Sequence, residues 1–198
     1  MGLFDQIKNN IASTLRSEAT KTISHAVSGA TNAATNAIEN IGKGKNSQKT
    51  FKFDAVPVNL SELKALPEAS LDTAFKTAAL TILALMRYEQ DPEAVIEMLD
   101  FLKGPEATRP LERQQLEERI GGQAYKIRSF FAGATVDNDY TPNTPYKITI
   151  YENPYSFDEE NWAMLYVQSS GVDGQRPLKF RKKPSTGQWF LNDIQCLG

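Results

Sequence analysis

The chain has very little of the side-chain chemistry on which small catalytic and metal-binding proteins depend. Its 198 residues include one cysteine, Cys196, and one histidine, His25. A lone cysteine closes no internal disulfide, so the fold needs no oxidising compartment. Zinc sites of the finger or ribbon type take four Cys/His ligands, which are not present. A nucleophilic mechanism with a histidine base would have to use His25, which lies in a low-complexity stretch. Long apolar runs are missing too. The longest nearly apolar run covers 78–86 and is interrupted by Thr81, far short of the roughly 20 residues that span a membrane. No segment reads as a secretion signal, since 2–10 carries Asp5 and no apolar run of the needed length. Gln6 stands where a myristoylation pattern needs Ser or Thr. The expected location is the cytoplasm. Neither sign of charge dominates: 22 Lys/Arg stand against 24 Asp/Glu, for a net charge of −2. Binding to nucleic acid or to an anionic membrane would therefore need a local patch.

What is present divides the chain in two. Residues 1–50 are rich in Ala, Ser, Thr and Asn and hold six basic residues (Lys8, Arg16, Lys21, Lys43, Lys45, Lys49) against three acidic ones (Asp5, Glu18, Glu39), a balance of +3. The remaining residues then hold 16 basic and 21 acidic residues, a balance of −5. Both Trp, every Tyr and every Pro lie beyond residue 50. The segment Gly42-Lys43-Gly44-Lys45-Asn46-Ser47-Gln48 reads as a flexible linker. The expected organisation is an arm over 1–41, a linker over 42–50 and one folded domain over 51–198.

The arm carries an amphipathic stripe. Leu3, Phe4, Ile7, Ile11 and Leu15 recur at spacings of three and four, as on one face of a helix. The arm has too few large apolar residues for a core of its own. Three readings stay open: an extension that is disordered until it meets a partner, a helix that packs on another protomer or on its own domain, or a helix lying on a membrane surface. Each makes these five residues the contact face.

In the domain, helical patterns come first and strand patterns follow. Phe51-Lys52-Phe53 alternates and predicts a strand running toward Pro57. Ser70 is placed to cap a helix over 71–88 that is apolar nearly all round, and hence central to the core. Asp91-Pro92 starts a second helix, which Gly104-Pro105 stops. A more charged helix is expected over 110–119. Beyond it the period changes to two. Strands are expected near 125–131, over 146–151, over 162–168 (apolar on both faces and therefore central), and on both sides of the hairpin loop Pro184-Ser185-Thr186-Gly187. The fold class predicted is α+β: a helical layer over about 59–119 packed on an antiparallel sheet over about 125–194.

Two stretches, Tyr151-Glu152-Asn153-Pro154-Tyr155-Ser156 and Arg181-Lys182-Lys183-Pro184-Ser185-Thr186-Gly187-Gln188-Trp189-Phe190-Leu191, together with the block 51–104, resemble an uncharacterised domain family of Gram-positive bacteria. The resemblance implies a bacterial, cytoplasmic context; that family has no assigned activity, cofactor or catalytic residues. The last strand, of the form Gly-x-Trp-Phe-Leu-x-Asp, is distantly similar to the closing strand of NTF2-like and cystatin-like α+β domains.

Candidate chemistry is sparse. Ser61-Glu62-Leu63-Lys64 has the Ser-x-x-Lys spacing of penicillin-recognising enzymes without the motifs that accompany it, and reads as an amphipathic turn. Asp137-Asn138-Asp139 opens like a calcium loop, but Pro142 and Ile148 occupy the places of the obligatory Gly and Glu. Asp158-Glu159-Glu160 reads as a solvated turn. No metal, no cofactor and no catalytic residue is expected. Two surface candidates remain. Arg176, Lys179, Arg181, Lys182 and Lys183 form the densest basic group, either a charged edge strand or a patch for phosphate-bearing partners. Tyr151, Tyr155, Trp162, Tyr166 and Trp189 supply either core or an aromatic face. The function expected is a non-catalytic interaction or adaptor protein, its arm holding the domain to a protein partner, to a second copy or to a membrane surface. Nucleic acid is disfavoured by the acidic domain. The competing expectation is a small-molecule-binding or enzymatic domain with an aromatic-lined pocket.

Overall fold

A computed structural model of the chain describes residues 46–172 and 174–197. The arm stripe Leu3, Phe4, Ile7, Ile11 and Leu15 lies outside the described residues. The chain divides into two units, Met1–Lys43 and Gly44–Gly198, and the architecture below is that of the second.

Five strands form one antiparallel sheet in the order β1 (Ser47–Phe53), β2 (Tyr146–Glu152), β3 (Trp162–Gln168), β4 (Gln175–Lys182) and β5 (Trp189–Asp193). Between β1 and β2 the chain makes α1 (Leu60–Ala65), α2 (Ala74–Leu85), α3 (Pro92–Lys103), α4 (Pro110–Ile120) and the short α5 (Tyr125–Arg128). The class is α+β, as the switch of period predicts, and β3 takes the central position its two-faced apolarity requires.

Helix α2 forms the middle of the core. Every residue of it except Lys76 is buried, and it packs across one face of the sheet against β2 to β5. Two threonines enter that apolar environment with their hydroxyls paired. Thr77 donates to the Trp189 carbonyl at 2.7 Å and Thr81 to the Thr77 carbonyl at 2.8 Å, which removes most of the desolvation cost of a buried hydroxyl. The helix is shorter than the expected 71–88. Leu71 sits in the left-handed region at φ 54° and ends a 3-10 turn over Pro67–Ser70, so the helix starts afresh with Thr73 as its cap in place of Ser70. Helix α3 begins and ends where Asp91-Pro92 and Gly104 put it. Asp91 accepts from the Ala94 N–H at 3.0 Å, and Gly104 adopts φ 71°.

Two expectations are corrected. The strand predicted near 125–131 is instead the helical turn α5 followed by tight turns. Ile127, Phe130 and Phe131 are the buried apolar positions, a spacing of three and four that belongs to a helix; only Phe131 makes a bridge, to Ile148. The first strand begins at Ser47, inside the segment read as linker, and stops at Phe53. Its extent is set by β2, whose seven residues pair one to one from Ser47↔Glu152 to Phe53↔Tyr146. Pairing to a partner about a hundred residues away overrides the polar, turn-like look of 47–50.

The two edges of the sheet differ. On the β5 side, α3 packs against the strand and the Phe190 ring lies against Gly104, where a Cβ would come within 2.5 Å of the ring. On the β1 side, Ser47 to Thr50 are exposed.

Candidate functional site

Alternation along each strand divides the sheet into two faces. Phe53, Ile148, Ile150, Ala163, Leu165, Val167, Leu178, Phe180 and Leu191 point inward and are all buried. The register then aligns the alternate residues on the opposite side: Gln48, Thr50 and Lys52 of β1; Lys147, Thr149 and Tyr151 of β2; Trp162, Met164, Tyr166 and Gln168 of β3; Gln175, Pro177, Lys179 and Arg181 of β4. This outer face has an apolar centre. Tyr151 pairs directly with Tyr166, and Tyr166 with Pro177. Met164 and Trp162 follow on the same side of β3, all five half-buried. Lys179 holds its ammonium 4.5 Å from the centroid of the Trp162 ring, a cation–π contact. Thr50 and Thr149 share a hydroxyl hydrogen bond of 2.9 Å across β1 and β2.

Of the five aromatic residues singled out in the sequence, this face collects Tyr151, Trp162 and Tyr166. Trp189 is elsewhere: it is on the side of Leu191, packed on the core, with the Phe157 ring edge-on at 5.7 Å and Lys182 5.8 Å above it. Tyr155 is exposed in the β2–β3 loop. The basic group does not form a single patch, because alternation along β4 sends its members to different sides. Lys179 and Arg181 lie on the outer face and Lys182 on the inner side near Trp189, while exposed Lys183 lies in the turn before β5. Arg176 lines a separate cleft. Arg181 is committed to the loop after α3, pairing with Glu106 at 2.5 Å and donating to the Lys103 carbonyl at 3.0 Å.

Two further concavities share no residue with this apolar centre. Between α3, α4 and the end of β5 lies a polar cleft walled by Lys103, Thr108, Glu112, Gln115, Asn192 and Asp193. Lys103 is buried, and its ammonium lies 2.7 Å from Glu112 Oε2, which also accepts from the Arg109 backbone N–H at 2.7 Å. Burial alone would raise the Glu112 pKa; the Lys103 ammonium and the Arg109 donors outweigh it and hold the carboxyl at about 2. This pair anchors the start of α4 to the end of α3. The second cleft, of about 210 Å³, is lined by Tyr125, Phe130, Tyr140, Arg176 and Cys196, with Tyr125 and Tyr140 tilted at 37°. Below it the buried hydroxyls of Ser129 and Ser169 bond to each other at 2.9 Å, and Ser129 also donates to the Lys126 carbonyl. Burial pushes the Cys196 thiol up to about 12, which makes it a poor nucleophile.

Residues 55–197 match the model of a family described as a domain of unknown function, DUF6935. The chain belongs to that family. The match spans all of the sheet except β1, and all five helices. No curated protein and no solved structure matches the chain.

Sequence reasoning passed over Met164, Pro177, Lys52 and Lys147. A period of two would have placed Met164 with Trp162 and Tyr166. Nothing local places Lys52 beside Lys147 or Pro177 beside Tyr166, because those neighbours are set by strand register. The Lys103–Glu112 pair was also missed; the signal available was Arg109-Pro110 followed by Glu112, a helix start with an acid in its first turn.

Proposed function

We propose that this protein is a non-catalytic adaptor: its arm, through Leu3, Phe4, Ile7, Ile11 and Leu15, attaches the folded domain to a protein partner or to a membrane surface, in the cytoplasm of a bacterium. One observation carries the reading. Leu3, Phe4, Ile7, Ile11 and Leu15 recur at helical spacing in a segment with too few large apolar residues for a core of its own, and the family match begins only at residue 55. Burying a large apolar side chain contributes about 1.5–3 kcal/mol, so five of them form a sizeable contact for a second surface.

The competing reading, a ligand-binding or enzymatic domain, would be favoured by an enclosed pocket with a carboxyl group raised in pKa. Among the described residues Asp72 and Glu112 are both held low, by Lys76 and by Lys103 with Arg109. Among the described residues no helix is long and apolar enough to cross a membrane, and no cluster of His, Cys, Asp and Glu has the makings of a metal site. The attachment is tested in the full chain with Phe4→Asp and Ile11→Asp together. The expected result is loss of vesicle co-sedimentation if the target is lipid, or a lower mass in light scattering if it is a second copy, with unchanged melting of the domain. Retention of both vesicle binding and mass, where the parent chain shows them, would overturn the reading.

A further inference from the structure

The outer face of the sheet departs from the charge of the domain that bears it. Beyond residue 50 the balance is −5, yet the fourteen outward residues of β1 to β4 include four cations (Lys52, Lys147, Lys179, Arg181) and no Asp or Glu; Lys179 stands opposite Asp193 of β5 and Arg181 is paired with Glu106, which leaves the Lys52–Lys147 pair as the face's unbalanced charge. Lys52 and Lys147 are direct cross-strand neighbours and both exposed. Like charges placed opposite each other cost stability, so the pair has no folding rationale of its own. From these lysines the face continues through Thr50 and Thr149 to the centre formed by Tyr151, Tyr166, Trp162, Met164 and Pro177. Tyr, Trp and Met are the residue types enriched in the buried centre of protein interfaces. With strands about 4.8 Å apart and a rise of about 3.3 Å per residue, the face measures roughly 20 Å by 20 Å. Beside Tyr151 it runs into a groove of about 380 Å³ between Thr149, Gln168 and the segment 129–135.

We infer that this face is a second docking surface, and that its occupant is a protein segment bearing carboxylates around an aromatic or aliphatic centre. The inference goes beyond attachment through the arm and rests on the non-catalytic reading. Charge selects the occupant. A second copy docking face to face would set the lysines Lys52, Lys147 and Lys179 of one copy against the same three of the other. Nucleic-acid affinity grows with the number of phosphates neutralised, and here Arg181 is already paired with Glu106 on a domain of net negative charge. An acidic segment meets complementary potential on the lysines and apolar contact at the centre.

The test uses the full chain and three defined probes: a random copolymer of glutamate and tyrosine, poly-L-glutamate and polyuridylate, each followed by fluorescence anisotropy. The expected result is that the copolymer binds at least tenfold tighter than poly-L-glutamate, and that polyuridylate shows no saturable binding. Lys52→Glu with Lys147→Glu should weaken the copolymer at least tenfold, and Tyr151→Ala with Tyr166→Ala by a similar factor. If the tyrosine variant melts early, the lysine variant, which changes only exposed side chains, decides alone. Copolymer binding no tighter than poly-L-glutamate, insensitivity to the lysine reversal, or tighter binding of polyuridylate would each overturn the inference. The arm variant Phe4→Asp with Ile11→Asp should bind the copolymer like the parent chain, so failure at the face and failure of the arm are read separately.

Discussion

The two faces of the sheet are built from alternate residues of the same strands, and they satisfy different demands. On β3, Ala163, Leu165 and Val167 are buried beneath α2. The residues between them, Trp162, Met164 and Tyr166, are no less apolar in bulk but remain half-buried. On β3 the inner face uses aliphatic side chains with no polar atoms, suited to close packing. The outer face uses Tyr and Trp, which combine large apolar area with a polar tip that tolerates water. Apolarity alone would have assigned both faces to the core. Shape and polar tips distinguish a packed face from one that stands in water until something covers it.

Leu165 offers the strongest way to test that contrast. It is fully buried, opposite Leu178. Leu165→Ala should cost about 2–5 kcal/mol, from lost transfer energy and the cavity left behind. For a chain of this size that lowers the melting temperature by roughly 5–15 °C. Chemical denaturation would measure it. A loss under 1 kcal/mol would mean that the inner face is loosely packed and that the two faces are not distinct.

The next largest effect is expected where a charge enters the interior, at the covered edge. Glu112→Gln leaves Lys103 buried without its counter-ion and weakens the start of α4. An unpaired buried charge and a weakened helix start together cost about 1–3 kcal/mol, since the pair is partly screened by solvent. The pH dependence has a definite sign. Glu112 is depressed in the folded state to about 2 from an ordinary 4.5. Its contribution is therefore fully present above about 4.5 and is lost as pH falls toward 2. In Glu112→Gln the acid limb of the stability profile should be shallower than in the parent chain between those values. An identical slope would show that Glu112 titrates normally.

Much of the fold is legible in the sequence. Helix α3 is bounded as Asp91-Pro92 and Gly104 dictate, and β3 is central because both its faces are apolar. What failed to show depended on distant neighbours. Ser47 to Thr50 look like linker until β2 pairs with them. Tyr125 to Phe131 offers apolar residues compatible with either period, and the burial of Phe130 and Phe131 side by side decides for helix. The site was legible in part for the same reason. Trp162 and Tyr166 can be assigned to one face by counting along one strand. The separation of Arg176, Lys179, Arg181 and Lys182 onto different sides follows from the same counting, whereas the meeting of Lys52 with Lys147 needs the β1–β2 register.

A smaller effect concerns the single thiol. Cys196 is buried in the closing 3-10 turn against β4, and burial raises its pKa to about 12. At pH 8 its thiolate fraction is about one part in ten thousand, against roughly a quarter for an exposed thiol of pKa 8.5. Labelling by a thiol reagent should therefore be about a thousandfold slower in the native chain than in denaturant. Cys196→Ser should cost about 1 kcal/mol, from burying a hydroxyl in place of a small apolar group. Equal labelling rates in the two states would detach the C-terminal turn from the inner layer.

The smallest change in stability is expected one residue along from the largest. Tyr166→Ala removes the cross-strand contact with Tyr151 and part of the cover over Pro177. Cross-strand pairs of this kind contribute about 0.2–1 kcal/mol, and the ring is less buried than Leu165, so less transfer energy is lost. The cost should stay below about 1 kcal/mol, and a double-mutant cycle with Tyr151→Ala should return a coupling within the same range. Set beside Leu165→Ala, the result measures the difference between the faces directly, since the strand and the fold are the same and only the side differs. A cost near that of Leu165 would show Tyr166 to be as deeply buried in the working protein as its neighbour. The outer face would then be a second core, and its lysines would border an internal seam in place of a surface that meets a partner.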